Sequence, residues 1–264
     1  PFTSSIALTL SLGPNGILLD FFGLGNFNFY GFWGTFISET LTFFPVAFMT
    51  LSTILARIDP NLEDAAYSLG ASSFKVFRTV TLPLAAPGIA NAFLLVFSCS
   101  LADFATPQVL GGHSFPVLPT QAYLVITGMY DFKGGAALSF MLLIPAIIVY
   151  SLQRWWVGKK SYVTVSGKAG GRSSVKGPGP LLSSVIVATV AVVIAFILYL
   201  YAIILTGSLV KVWGVNNEIT LENYSYVFMH GSKAIKDTLL IACIGTPLGG
   251  LLAVLVGYAT ARLK

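Results

Sequence analysis

The sequence predicts an all-α fold, a polytopic bundle of transmembrane helices with about five spans. Three observations carry this expectation. Hydrophobic residues make up 55% of the 264 and charged residues only 9%, where a soluble domain carries about 25% charged residues. The apolar residues are collected into runs close to the roughly 20 residues that cross a bilayer. The charges fall mostly in the stretches between those runs, and basic residues outnumber acids 15 to 10.

Taken in order, residues 2–12 are apolar but short, so the tail of a span and a helix at the membrane surface both stay open. The first span covers residues 29–56 and contains Glu39. A polar island, 57–83, separates it from the second span, 84–105, which carries Asp103 near its end. The third, 136–152, is short, and Trp155 and Trp156 extend it as an interfacial aromatic anchor. Residues 153–180 are rich in Gly, Ser, Pro and Lys, have nothing to bury, and read as a linker between two units. The Gly-Lys pairs there lack the spacing of a phosphate loop, and a basic tether near anionic headgroups fits better. The fourth span, 181–205, carries no charge, and the fifth covers 238–261. Pro45, Pro87, Pro145 and Pro247 sit inside spans as hinges or static kinks, because neighbouring helices can satisfy the backbone groups that proline frees. Cys99 and Cys243 lie in apolar runs with no His or Cys at ligand spacing, which argues against a disulfide or metal framework.

Basic residues concentrate on the cytoplasmic side of a membrane protein. The linker holds Arg154, Lys159, Lys160, Lys168, Arg172 and Lys176 and no acid, so it is expected inside. Alternation then places 57–83 inside, 106–135 and 208–237 outside, and Arg262 and Lys264 inside. Eleven of the fifteen basic residues become cytoplasmic. The chain starts at Pro1 without a visible secretory signal and stops just after an apolar run, so an internal piece of a longer protein is expected.

The polar island has the local chemistry of a helical elbow. Asp59 suits an N-cap and Pro60 the first helical position. Glu63 and Asp64 fall near the positive end of the helix dipole. Leu62, Ala65, Ala66 and Leu69 recur at helical spacing, and Gly70 can adopt the left-handed conformation that ends a helix. Ser72 or Ser73 can cap a second short helix with Phe74 and Phe77 on one side and Lys75 and Arg78 on the other. Leu82-Pro83 and Pro87 are expected to break the chain before the next span. Small alanines allow close approach by a partner, and the acids offer charge-assisted contacts to Arg or Lys.

Asp64-Ala65-Ala66, three residues, Gly70, nine residues and Val80-Thr81-Leu82-Pro83 resembles the EAA loop of ABC importer permeases. That pattern has Glu in place of Asp64, which here has Glu63 beside it, and Ile in place of Val80. The resemblance implies the type I importer permease fold and a coupling helix that docks on a separate cytoplasmic ATPase. It implies that Glu63, Asp64, Ala65, Ala66, Gly70 and Ala71 form the ATPase-docking contact. Leu41-Thr42-Phe43-Phe44-Pro45, Ala102-Asp103-Phe104-Ala105-Thr106-Pro107 through Gly111-Gly112, Gln121-Ala122-Tyr123 through Asp131, and Ser161–Lys168 are similar to fused ferric-iron importer permeases. Such chains join two permease halves. Residues 1–152 then correspond to the later part of a first half, 153–180 to its linker, and 181–264 to the start of a second, whose EAA loop falls beyond the sequence. Related branches carry phosphonate, thiosulfate or polyamines.

These implications make the chain a non-enzymatic, multi-pass permease of a bacterial or archaeal cytoplasmic membrane, importing solute by alternating access. The implied partners are cytoplasmic ABC ATPase subunits, a periplasmic or lipid-anchored solute-binding protein and membrane lipid, with no nucleic acid, resident metal or cofactor. Glu39 and Asp103 are the candidate pathway residues, because an ionisable side chain in a span is a functional candidate. Glu39 can equally be a paired structural acid, and Asp103 a cap or anchor at the outer surface. His113 stands alone, and Tyr123, Tyr130, Tyr224 and Tyr226 are iron ligands in principle but common interfacial residues in practice. A gradient-driven secondary transporter needs convergent midplane charges that the sequence lacks beyond Glu39. An intramembrane enzyme needs a nucleophile with its base, or a metal cluster, and neither is visible.

Overall fold

Apolar runs that must satisfy every backbone group without water fold as helices. A computed structural model describes residues 2–14, 16–21, 23, 28–112, 115–158 and 179–262, and helix dominates it. Among the described residues, six stretches are long and apolar enough to cross a membrane: Phe2–Leu19, Phe32–Leu55, Ser73–Ala102, Phe132–Trp156, Pro180–Leu209 and Ser232–Thr260. Five correspond to the runs read from the sequence. The chain forms two compact units, residues 1–204 and residues 205–264.

In the first unit the opening stretch forms α1 (Phe2–Leu12) and α2 (Ile17–Phe21). Helix α1 packs on α3 (Phe32–Leu55) and α7 (Ala105–Leu110), with Ala7 and Leu8 fully buried. Hydroxyls join α1 to α3, Ser5 with Ser38 at 3.1 Å and Ser4 with Thr42 at 2.6 Å, and Ser11 pairs with Tyr199 of the later helix Pro180–Leu209 at 2.9 Å. Small residues and hydroxyl pairs are the usual means by which membrane helices associate, because lipid offers no hydrophobic drive between them.

Helix α3 packs on α6 (Leu82–Ala102), and α6 on α9 (Phe132–Gly158). Gly88 is the contact point for α3: a Cβ there would lie 2.4 Å from Ile54 Cγ2. Gln153 donates to Asn91 and ties α9 to α6. Helix α8 (Leu118–Gly128) folds back on α9 as a hairpin. Asp131 caps α9 by accepting from the Lys133 and Gly134 N–H groups at 3.1 and 3.0 Å.

Between α3 and α6 come α4 (Pro60–Ser68), α5 (Ser73–Val76) and a π-helical turn over Phe77–Thr81. The expected break at Leu82-Pro83 and Pro87 does not occur. Helix runs through Ser73–Ala102, with Pro83 in the first turn of α6, where its missing N–H matters least, and Pro87 within the helix. The wide turn immediately before α6 takes up the irregularity. Pro45, Pro145 and Pro247 likewise lie inside uninterrupted helices.

Helix α10 (Pro180–Leu209) ends in the second unit. A hairpin absent from the sequence expectation follows: β1 (Val210–Val212) pairs antiparallel with β2 (Asn216–Ile219) around Gly214. Asn223 Nδ2 clamps the Ser208 and Val210 carbonyls at 3.1 and 3.0 Å. Ser208 and Tyr224 share a 2.7 Å hydrogen bond at the base of α11 (Glu222–His230), which leads into α12 (Ser232–Arg262). Most of the expected linker, including Lys159, Lys160, Lys168, Arg172 and Lys176, lies outside the described residues, as do His113 and Lys264.

Candidate functional site

Two places concentrate the residues singled out by the sequence. The first is the elbow. Asp59 takes the N-cap of α4 and its carboxylate accepts from the Asn61 N–H at 3.0 Å, with Pro60 opening the helix. At the other end the Gly70 N–H reaches the Tyr67 carbonyl at 2.9 Å and the Ala71 N–H reaches that of Ala66 at 3.1 Å. Gly70 has φ of +81°, and the two bonds form a Schellman closure. Both ends of the helix are therefore satisfied by their own neighbours. Ser72 precedes α5 but makes no side-chain cap.

A further tie comes from outside the helix. Thr81 Oγ1 donates to Glu63 Oε1 at 2.6 Å, joining α4 to the turn that feeds α6. Val76, 2% exposed, anchors α5 beside it. The outward surface is mixed: Leu69 is 88% and Phe74 73% exposed, with Leu62, Ala65 and Gly70 open beside them, and Asn61, Ser68, Lys75 and Arg78 are exposed too. Asp64, Ala66 and Ala71 are half-buried. The stretch is neither irregular nor sunk among the membrane helices. Glu63 has an oxygen engaged within the elbow, whereas the sequence reading aimed it at a partner.

The second place is a cavity of about 450 Å³ in the first unit. Helix α3 contributes Phe32, Thr35, Phe36 and Glu39 at helical spacing. The end of α6 contributes Ser100, and Asp103 follows three residues later. Ser100 Oγ donates to Glu39 Oε2. Asp103 Oδ1 accepts from the Ala105 N–H at 2.9 Å and the Thr106 N–H at 3.4 Å, capping α7. Its Oδ2 has no hydrogen-bond partner among the described residues, and Asp103 is 8% exposed. Phe32 stacks on Phe36 at 5.8 Å and meets Phe115 edge-on at 5.6 Å, forming an aromatic wall. Among the described residues, no Lys, Arg or His lines the space.

The two carboxylates picked separately from the sequence thus share one cavity, and Asp103 is a cap as well. Ser100 and Thr35 were missed. Each stands three or four residues from a candidate acid, Ser100 before Asp103 and Thr35 before Glu39, and that spacing was the available signal. The tyrosines do not join this site. Tyr123 stacks on Phe104 at 5.3 Å, Tyr226 stacks on His230 at 4.4 Å, Tyr130 is exposed, and Tyr224 is engaged by Ser208. Among the described residues, no three His, Cys, Asp or Glu side chains gather as a metal cluster.

The model of the binding-protein-dependent transport system inner membrane component family matches residues 3–161, more than half of the chain. The chain belongs to that family. It is a multi-pass permease component of the inner membrane, and its relatives are transport components rather than enzymes. It is 38% identical to the ferric transport system permease protein FbpB of Actinobacillus pleuropneumoniae over 99% of this chain and 39% of the relative. The molybdenum transport system permease protein ModB of Haemophilus influenzae is 37% identical, over 59% of this chain and 70% of that protein. The spermidine/putrescine transport system permease protein PotC of Escherichia coli is 27% identical over 58% of this chain and 59% of that protein. The chain spans about two fifths of the length of the ferric relative. The elbow and the cavity both fall inside the family match.

Proposed function

We propose that this chain forms part of the solute pathway of an ATP-driven importer and is gripped through the 59–83 elbow by a cytoplasmic ATPase. The observation that carries the reading is the construction of the elbow: a helix capped at both ends, tied to α6 through Thr81 and Glu63, with Leu69 and Phe74 left uncovered at its tip. Such a unit transmits force, because displacement of α4 is passed to α6 instead of being absorbed in a slack loop. Asp64, Ala65, Ala66, Gly70 and Ala71 supply the docking surface together with Leu69, and Glu63 contributes from the side. The elbow and the 153–180 linker are cytoplasmic. A solute-binding protein delivers its load to the opposite face.

Ferric iron is the solute that the likeness supports best, since the full-chain likeness is to a ferric permease. The cavity agrees in charge. Two carboxylates, with no basic side chain lining the cavity among the described residues, suit a cation better than an oxyanion such as phosphonate or thiosulfate.

Gly70 is the place to test the docking. A Cβ there meets nothing within 4 Å, so only its positive φ resists substitution. Gly70→Val strains the closure by roughly 1–2 kcal/mol, whereas Gly70→Asn tolerates that conformation. Copurification with the ATPase subunit and ATP-driven uptake of radioactive iron should fall in the valine variant and persist in the asparagine variant. Equal uptake in both, or uptake without ATP, would sink the reading.

A further inference from the structure

We propose that α11 is an interfacial anchor. Its apolar face, Leu221, Tyr224, Val227 and Phe228, sinks into the headgroup–acyl boundary of the membrane and fixes the depth at which α10 and α12 are joined. On the topology proposed above, this is the outer leaflet. The inference goes beyond the coupling and solute readings and needs neither of them.

Both ends of α11 are held close to the hydrocarbon edge. At its start, Tyr224 shares a hydrogen bond with Ser208 at 2.7 Å, and Asn223 Nδ2 holds the Ser208 and Val210 carbonyls at 3.1 and 3.0 Å. Ser208 lies three residues past Leu205, where the uncharged apolar run of α10 ends. At about 1.5 Å per residue, that is roughly 5 Å of helix. At the other end, Gly231 alone separates α11 from α12. The apolar run of α12 begins at Thr238, six residues after Ser232, or roughly 9 Å along the helix. The headgroup layer on each side of a bilayer is roughly 5–8 Å deep. Both attachment points therefore fall in or beside that layer. A helix about 13 Å long with both ends in one thin layer lies along it.

The side chains match that position. Successive helical residues are about 100° apart. Tyr224, Val227 and Phe228, with Leu221 just ahead of the first turn, fall within roughly 120° of one another, the width of a stripe that seeks an apolar neighbour. All four are exposed, Leu221 by 68% and Phe228 by 66%. Glu222, Asn223, Ser225 and His230 occupy the rest of the circumference, with Met229 and the His230-stacked Tyr226 among them.

Lipid is the neighbour that the position supplies, because the stripe is continuous with two membrane spans. Charge points the same way. Between Leu205 and Thr238, Lys211, Lys233 and Lys236 are balanced by Glu218, Glu222 and Asp237. A charged protein partner finds no net field there to select. Tyrosine also suits this depth, with its ring in the boundary and its hydroxyl on a polar group. Once seated, the helix resists any sliding of the joined ends of α10 and α12 across the bilayer, since that would drag the apolar stripe into water or the polar side into hydrocarbon.

The test uses the assembled importer in lipid nanodiscs, without nucleotide or binding protein, in a chain whose native cysteines, Cys99 and Cys243 among them, are replaced by Ala. A nitroxide is placed singly at Val227, Phe228, Glu222 or Ser225, and power saturation compares its collisions with lipid-soluble oxygen and water-soluble nickel–EDDA. Labels at Val227 and Phe228 should favour oxygen, at a depth of about 5–10 Å, and labels at Glu222 and Ser225 should favour nickel. Leu221→Asp should shift the Phe228 label toward nickel, whereas Leu221→Met should leave it in place. Equal nickel access at all four positions would overturn the anchor by placing the stripe in water. Shielding of Val227 and Phe228 from both reagents would overturn it too, since another protein segment then covers the stripe. In either case the coupling reading stands, because copurification with the ATPase is measured separately.

Discussion

Thr81 lies eighteen positions from Glu63 in the sequence, yet its hydroxyl closes the elbow at 2.6 Å. A hydrogen bond to a carboxylate is worth about 1.5–3 kcal/mol when formed away from full solvent, and Glu63 is only half-buried, so the lower end applies. Thr81→Val should leave the chain folded and inserted but loosen α4 from α6. The expected readout is more ATP hydrolysed per iron imported, with Thr81→Ser close to wild type; an unchanged ratio in the valine variant would remove Thr81 from the coupling path. Residues of this kind divide by range. Asp59, Pro60 and Gly70 were legible because caps and left-handed closures depend on neighbours a few positions away. The Thr81 tie was not, since it depends on how two helices fold across an intervening turn.

Helix α6 meets α3 where Gly88 faces Ile54, and the missing side chain lets the two approach. Gly88→Val should wedge them apart at a cost of roughly 1–3 kcal/mol, as overpacking does. A lowered melting temperature in detergent is the measurement, and Ile54→Ala should restore part of it because it clears the colliding atoms. Additive losses in the double variant would mean that the contact is not the one described. The spans themselves were legible because length and hydropathy are properties of a single segment. Their starts were less so. The run into α6 begins at Ser73, since the sequence treated Pro83 and Pro87 as stops without seeing the π-helical turn that accommodates them. Helix α1 was left open because its membership depends on hydroxyl contacts to α3 and Tyr199. The β1–β2 hairpin, three and four residues long, is too short to show as a pattern.

For the molecule as a whole, orientation is the quantity that both proposals share. In a chain with Cys99 and Cys243 replaced by Ala, a cysteine at Leu69 should react with a membrane-impermeant maleimide only when the cytoplasmic face is open. One at Met129, 74% exposed at the α8–α9 turn, should react from the outside of intact cells. The reverse pattern would invert the proposed topology. The convergence of Glu39 and Asp103 is also a property at this scale. Each acid was visible by itself, but their meeting depends on α3 packing on α6, which no periodicity encodes. The π-helical turn over Phe77–Thr81 bears on where the proposed ATPase contact would lie. One residue of α-helix is about 100° of rotation and 1.5 Å of rise. Deleting Thr79 would let Ser73 to Ala102 wind as plain α-helix, leaving every span in place while swinging α4 to a different compass bearing around α6. Under the proposed docking, the extra residue sets the azimuth at which the elbow would meet its motor.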